Sequence, residues 1–417
     1  MSEGYGFGKL LERQEENEEQ QKAIEFNFPI LILRTQRFTK FFDRLGTLRL
    51  SRIVSWLSPI IVPVVAVIGL YLLLGSLLTL LGTPAVREIS RTFGPGAYLL
   101  LPGVNPLLPV FYGWLAIIVA MTVHEAAHGI IARNLGLRVK SSGLLFLIFI
   151  PIGAFVDVDE KEIAKAKPRN SLRIMSAGVG ANIIVAVVCI LGLLLIVNGL
   201  TPRVDGVYVY DVVKGFPADQ AGLRANDVLL STDNIQISNY DQLKTFLDGK
   251  NPGDEINVTV ARGEKWGTRF STNVSLVESG GRAIMGVNLT ELMTRDRLSF
   301  YQNFSISSLS IYLIPPTFAP DLVPFSDSSA PFYSHWLGDY WNVVANVLFW
   351  VWFVDVNVAV FNALPIYPLD GGRIFNISLQ STLGRKLGEK NIYRITVAVT
   401  ALLAAIVLLI LLIPFVL

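Results

Sequence analysis

Disulfide chemistry is closed to this chain. It holds one cysteine, Cys189, so no intrachain bridge can form, and the residue is read as packing in an apolar run. Charge is scarce too: 16% of the 417 residues are charged against 52% apolar. That ratio excludes an ordinary soluble protein and makes an integral membrane protein the expectation. The few charges nearly cancel, to a net +2, which leaves no basic field for DNA or RNA and implies no nucleic-acid partner. A short basic region leading into an apolar one is missing from the start, which is Glu/Gln-rich over Glu15–Gln21, so no cleavable signal peptide is read. Histidine is also rare. There are three, and two of them stand four residues apart.

Those two belong to Met121-Thr-Val-His-Glu-Ala-Ala-His-Gly129. On a helix, His124 and His128 leave one face a turn apart, a spacing at which two imidazoles share one zinc ion. Glu125 then stands where it can take a proton from a water activated by the metal. The stretch lies in a run apolar enough to cross a bilayer, where ionisable side chains are costly and usually functional.

Residues 1–55 read as a cytoplasmic or interfacial segment, polar and then basic, with Phe28–Leu33 a short strand or interfacial piece. Arg37, Lys40, Arg44, Arg49 and Arg52, interleaved with Phe38, Phe41 and Phe42, suit a helix on an anionic inner leaflet or a flank that only sets topology. The first span is 56–81, long enough for a hydrocarbon layer of about 30 Å. Residues 82–109 are a Gly/Pro-rich loop. Residues 108–198 then carry the second span (Val110–Asn134, with the histidine motif), an apolar piece at 143–156, and a third span at 171–198. The 143–156 piece is too short to span and is broken by Pro151 and Gly153, so it reads as a re-entrant hairpin or β-loop. The small-residue stretch Ser176–Asn182 suits close helix packing, with Asn182 as an interhelical hydrogen-bonder. Residues 203–290 alternate β-branched runs with turns and read as a soluble domain. Residues 291–340 read as an extended or interfacial connection, with His335 a surface or interfacial histidine. Residues 341–375 contain the fourth span, through Leu364, and a Pro-broken turn to Arg373, and 393–417 the last span. The Lys and Arg flanks fit five spans with the N-terminus inside, the 203–290 domain outside, and the histidine motif toward the cytoplasmic half.

Two histidines leave zinc short of a third protein ligand. Asp355 lies within a span, and Asp157 and Asp159 follow the re-entrant piece. Asp370 stands before two glycines just past Pro365 and Pro368. The topology brings the ends of the second and fourth spans to the same face, which favours Asp370 over Asp355.

Asn362-Ala-Leu-Pro-Ile-Tyr-Pro-Leu-Asp-Gly371, together with His124–His128, resembles the site-2 protease family of intramembrane zinc metalloproteases. The resemblance implies Asp370 as third ligand of one zinc ion, Asn362 as oxyanion donor or substrate holder, and Glu125 as general base. It implies the Gly178–Asn182 stretch as the third core-helix motif, with Val179 where many members have Pro, and residues 143–156 as a membrane-embedded β-loop. Val213–Leu229 resembles the core motif of a PDZ domain, from which Phe216 and Asn226 depart. The bacterial permuted form would put the peptide-binding loop near Gly281–Leu289, where no clear Gly-Leu-Gly-Phe loop is found; a size filter and a docking surface are both open.

The chain is thus expected to be a polytopic α-helical membrane protein with an inserted α/β PDZ-like domain and a short re-entrant β-loop. Its expected partners are the lipid bilayer, transmembrane protein substrates, and a peptide or substrate at the PDZ-like domain. Its expected place is a prokaryotic plasma membrane. The rival readings are a non-catalytic metal-binding protein or transporter, which rarely needs Glu directly after the first His and often shows repeats, and a prenyl-protein type metalloprotease, whose third ligand is typically Glu.

Overall fold

The computed structural model describes residues 23–37, 39–148, 150–158, 162–163, 166–291, 294–303 and 305–417. The opening through Gln21, Phe38, Asp159, Lys161 and Lys165 lie outside the described residues. The chain forms two compact units, one of residues up to 106, 110–187 and 351–417, the other of 107–109 and 188–350.

The first unit begins with a hairpin, β1 (Ile24–Asn27) and β2 (Ile30–Thr35), followed by the short amphipathic helix α1 (Thr39–Gly46). Helix α2 (Arg49–Gly82) is 34 residues long and contains Pro59 and Pro63; α3 (Pro84–Phe93) follows. Helix α4 (Val110–Asn134) carries the histidine motif and buries a small-residue face at Gly113, Ala116 and Ala120. Next come β3 (Val139–Leu147) and β4 (Ile150–Val158), an antiparallel hairpin. The 143–156 piece is therefore strand, and its neighbour is the N-terminal hairpin. The four strands form one sheet in the order β1-β2-β3-β4, with Ile30 opposite Leu147 and Thr35 opposite Ser142. Helices α5 (Pro168–Met175) and α6 (Ala177–Asn198) complete this stretch.

In the second unit, β5 (Thr201–Pro202), β6 (Val207–Val212), the single turn α7 (Pro217–Gln220), β7 (Val228–Thr232), β8 (Ile235–Gln236) and α8 (Tyr240–Asp248) precede β9 (Glu255–Arg262) and β10 (Thr268–Ser275). The hairpin β11 (Val277–Ser279) and β12 (Arg282–Ile284) leads to β13 (Val287–Thr290). The main sheet is antiparallel in the order β10-β9-β7-β6-β13. Its strands alternate as a half-buried sheet requires: Ile256, Val258 and Val260 of β9 face inward, Glu255 and Asn257 outward. Val207, Leu229 and Val274 meet them in one core.

Residues 295–340, expected as an extended connection, are instead packed. Helices α9 (Arg295–Gln302) and α10 (Ile306–Ile311) precede β14 (Tyr333–Ser334), which pairs with β5. Tyr301, Tyr312, Phe325 and Tyr333 are buried there. Aromatic residues scattered among prolines have no period of 2 or 3.6, so the pattern concealed a core made by tertiary contact.

Helix α11 (Trp341–Ala363) returns the chain to the first unit. There α12 (Asp370–Leu387), which had been read only as a turn and a flank, and α13 (Glu389–Val416) follow. Among the described residues, five helices are long and apolar enough to cross a membrane: α2, α4, α6, α11 with the turn before it, and α13.

One ion pair holds the second unit's sheet to its loops. Asp227, 1% exposed, takes two hydrogen bonds of 2.7 Å from Arg262 and one of 2.8 Å from the Arg224 N–H. The pair holds the Arg262 guanidinium above its usual range. Removing one partner of such a pair strands the other, at a cost on the order of 3 kcal/mol. Asp227→Ala is expected to lower the thermal midpoint for protease cutting within residues 203–290 by several degrees, with Asp211→Ala, on the exposed side of β6, near wild type.

Candidate metal centre

Helix α4 presents His124 and His128 from adjacent turns, with ring centroids 5.0 Å apart and side chains 8% and 11% exposed. They reach the third residue because the chain turns back sharply after α11. Pro365 and Pro368 cannot continue that helix, and α12 starts at Asp370. Gly371 and Gly372 let the first turn of α12 lie flush on the end of α11. A Cβ at Gly371 would overlap the carbonyl oxygens of Ala363 and Leu364, and one at Gly372 the Ile366–Tyr367 backbone. The carboxylate therefore sits at a helix N-terminus, where the helix dipole favours negative charge.

Asp370 Oδ2 is 3.0 Å from His124 Nε2 and 3.1 Å from His128 Nε2. The atom is buried and has no assigned hydrogen-bond partner among the described residues. Two ligands of a tetrahedral zinc at bond lengths near 2.05 Å stand about 3.3 Å apart. The observed separations are close to that edge, and one donor atom of each residue lies within 4.8 Å of the others. Two imidazoles and one carboxylate are also a donor set that zinc accepts with a position left open. On geometry and on donor chemistry the residues fit the metal.

Two further contacts support the set. His128 Nδ1 lies 2.7 Å from the Ile174 carbonyl oxygen, so Nδ1 carries the proton and Nε2 keeps its lone pair for the centre. A Cβ at Gly178 would stand 2.5 Å from the His124 ring, so α6 approaches that imidazole only because residue 178 has no side chain. The small-residue stretch is legible as helix packing; that its partner is the His124 ring is not. The Ile174 carbonyl gave no signal, since a backbone acceptor has none in sequence.

Glu125 follows His124 on α4 and is half-buried. Asn362, half-buried on the last turn of α11, donates one N–H to the Val358 carbonyl at 3.1 Å, which leaves the second N–H free. Asp355 is fully buried and does not join the histidines; neither of its oxygens has a hydrogen-bond partner among the described residues. Asp157 is likewise outside the group of three. Asn182, expected to bridge helices, is fully buried with both amide atoms unpartnered among the described residues. His335 packs over Trp336 and Trp341 in the second unit, far in character from a ligand.

Such a fold and centre define a class, the membrane metalloproteases, and sequence comparison gives the family. Residues 112–407 match peptidase family M50. The chain is 26% identical over 350 residues to an uncharacterised protein of Methanocaldococcus jannaschii, covering 83% of this chain and 76% of that one. It is 23% identical over 223 residues to the zinc metalloprotease RasP of Oceanobacillus iheyensis, covering 49% of this chain and 50% of the relative. It is 25% identical over 213 residues to a membrane-bound transcription factor site-2 protease homolog of Arabidopsis thaliana, 48% of this chain and 40% of that one. The solved PDZ domain of an SdrC-like protein of Listeria monocytogenes is 22% identical and aligns with 22% of this chain and 96% of that one, at a TM-score of 0.20. The chain belongs to peptidase family M50, the site-2 protease family. It is a zinc metalloprotease and a multi-pass membrane protein.

Ligand identity is open to direct measurement. Purified Asp370→Ala is expected to fall from about one zinc per chain to under about a tenth, while Asp355→Ala keeps its zinc. Metal analysis of the two proteins side by side decides it, and zinc lost from Asp355→Ala alone would transfer the ligand role to Asp355.

Proposed function

We propose that this chain cuts transmembrane segments of membrane proteins, using one zinc ion held by His124, His128 and Asp370. The observation that carries the reading is the convergence of those three donors between helices long and apolar enough to lie in a bilayer, with Glu125 beside them. When bound, zinc supplies Lewis acidity, polarising a peptide carbonyl and making water a stronger acid near neutral pH. Glu125 takes the proton as the water oxygen bonds to the carbonyl carbon. It then delivers that proton to the amine nitrogen as the C–N bond breaks. The free N–H of Asn362 donates to the carbonyl oxygen as negative charge gathers there.

A helical substrate hides its carbonyls in hydrogen bonds, so it must unwind before reaction. Two features support a route for it. A largely apolar cleft of about 590 Å³, lined by Gly69, Leu72, Gly75, Asn357, Phe361 and Leu364, runs between α2, α11 and α13. The strand β4 is an edge of its sheet and offers main-chain groups to an extended segment. On this reading β3 and β4 are the re-entrant loop of the membrane layer. The basic flanks orient the chain in a prokaryotic plasma membrane with its N-terminus inside.

The insertion docks an extended peptide in the same scheme. Between α8 and β13 lies a groove of about 560 Å³, lined by Leu243, Lys244, Leu247, Met285, Val287 and Leu289. The chain Ile284-Met-Gly-Val287 closes one end, with Gly286 at φ 83°, a left-handed conformation that favours glycine. The Met285 and Gly286 N–H groups donate to no acceptor among the described residues, although both carbonyls are used, by Ala218 and Val213. Free N–H groups at the end of a groove suit a carboxylate.

Glu125→Gln is expected to retain zinc and to cleave a model transmembrane substrate at least about a hundredfold more slowly. Equal rates in the two proteins would sink the protease mechanism. Asn362→Ala is expected to lower kcat by about 10²-fold with KM little changed, read in the same reconstituted assay. An apolar-ended peptide with a free carboxylate is expected to bind the full chain about tenfold more tightly than its C-terminal amide. Fluorescence anisotropy checks this, and equal binding would leave the insertion a size filter.

A further inference from the structure

We infer that Arg169 and Arg173 form a binding site for the phosphate of an anionic phospholipid headgroup. Both guanidiniums lie over one indole. The Arg169 carbon Cζ is 4.0 Å, and that of Arg173 4.4 Å, from the ring centroid of Trp56 near the start of α2. Stacking on an aromatic face fixes the plane of each guanidinium and leaves its edge N–H groups to bind. The two arginines are four residues apart on α5, a spacing at which like charges repel. Neither has a carboxylate within 4.0 Å among the described residues.

Arg173 is the informative member, because it is only 8% exposed. Its Nε donates to Ser55, to the hydroxyl at 2.8 Å and the carbonyl at 3.3 Å. Its two terminal nitrogens have no protein acceptor among the described residues. A buried guanidinium is retained where its donors meet an acceptor, and paired planar forks match the oxygens of a phosphodiester. Arg52, one turn before Trp56 on α2, and Lys167, next to α5, add positive charge beside the pair.

The leaflet is the source because of where the site lies. Trp56 is 42% exposed at the end of the apolar run of α2, as expected of a residue at the membrane–water boundary. Basic residues there gain from the negative surface of an anionic leaflet. The site is also joined to the metal centre by one peptide unit. Arg173 is followed by Ile174, whose carbonyl orients His128. A headgroup that ties α5 to α2 therefore braces the acceptor that sets a ligand's tautomer.

Native mass spectrometry of the full chain, delipidated and titrated with phosphatidylglycerol, reads the site without reference to proteolysis, so failure of the protease reading would leave it standing. Wild type is expected to bind one phosphatidylglycerol tightly and phosphatidylcholine no better than background. Arg169→Gln, an exposed position, should bind the anionic lipid about tenfold more weakly, and Arg44→Gln on α1 should match wild type. Equal binding by wild type and Arg169→Gln would overturn the proposal. So would an equal loss in Arg44→Gln, which would mean a diffuse basic flank. Displacement by inorganic phosphate at equal concentration would also overturn it, since the site would then take a soluble anion.

Discussion

Three polar atoms must meet among helices of membrane-spanning length, and the helices are arranged to let them. His124 and His128 come from one helix and Asp370 from another, 242 residues further on, and the separations of 3.0 and 3.1 Å leave no room for an intervening side chain. Glycine makes the approach possible. Gly371 and Gly372 allow α12 to sit on the end of α11, and Gly178 lets α6 lie against the His124 ring. Each removes a side chain at a point where another residue would push a ligand aside by more than a bond's tolerance.

Around this centre the first unit supplies orientation rather than chemistry. The Ile174 carbonyl sets the His128 tautomer, and Arg173 binds α5 to α2 through Ser55. Ala359 and Ala363 of α11 pack with Val179 of α6 and Val62 and Val65 of α2, holding at fixed spacing the helix that carries Asn362 in its last turn and precedes Asp370. Small residues at these crossings bring backbones close where lipid supplies no hydrophobic drive between helices. The second unit has its own core of β-branched residues and its own buried ion pair.

Much of the site could be read from residue order. The His-Glu-x-x-His spacing points to two candidate ligands and a candidate base because helical periodicity is local. Asp370 was favoured because two prolines and two glycines beside a span signal a turned-back chain. Other features have no local signature. The N-terminal strand Ile30–Thr35 was left between strand and interfacial piece, because what makes it a strand is pairing with Leu147 to Ser142. The packed aromatics of 301–333 looked like a linker for want of any period. The sequence places the peptide-binding loop only broadly, near Gly281–Leu289, for want of a Gly-Leu-Gly-Phe pattern, and the φ of Gly286 and the groove beside it narrow it to Ile284–Val287.

By itself, then, the sequence determined membrane residence, the number of membrane-length helices, the metal-binding pattern and the inserted domain. All of these rest on composition or on spacings within a few residues. The tertiary structure alone decided that the Ile174 carbonyl orients His128 and that Arg169 and Arg173 share one indole. Those outcomes depend on the direction in which distant helices approach one another. That direction is set by steric contact at a few glycines and alanines, and contact between remote segments is not written in the order of either one.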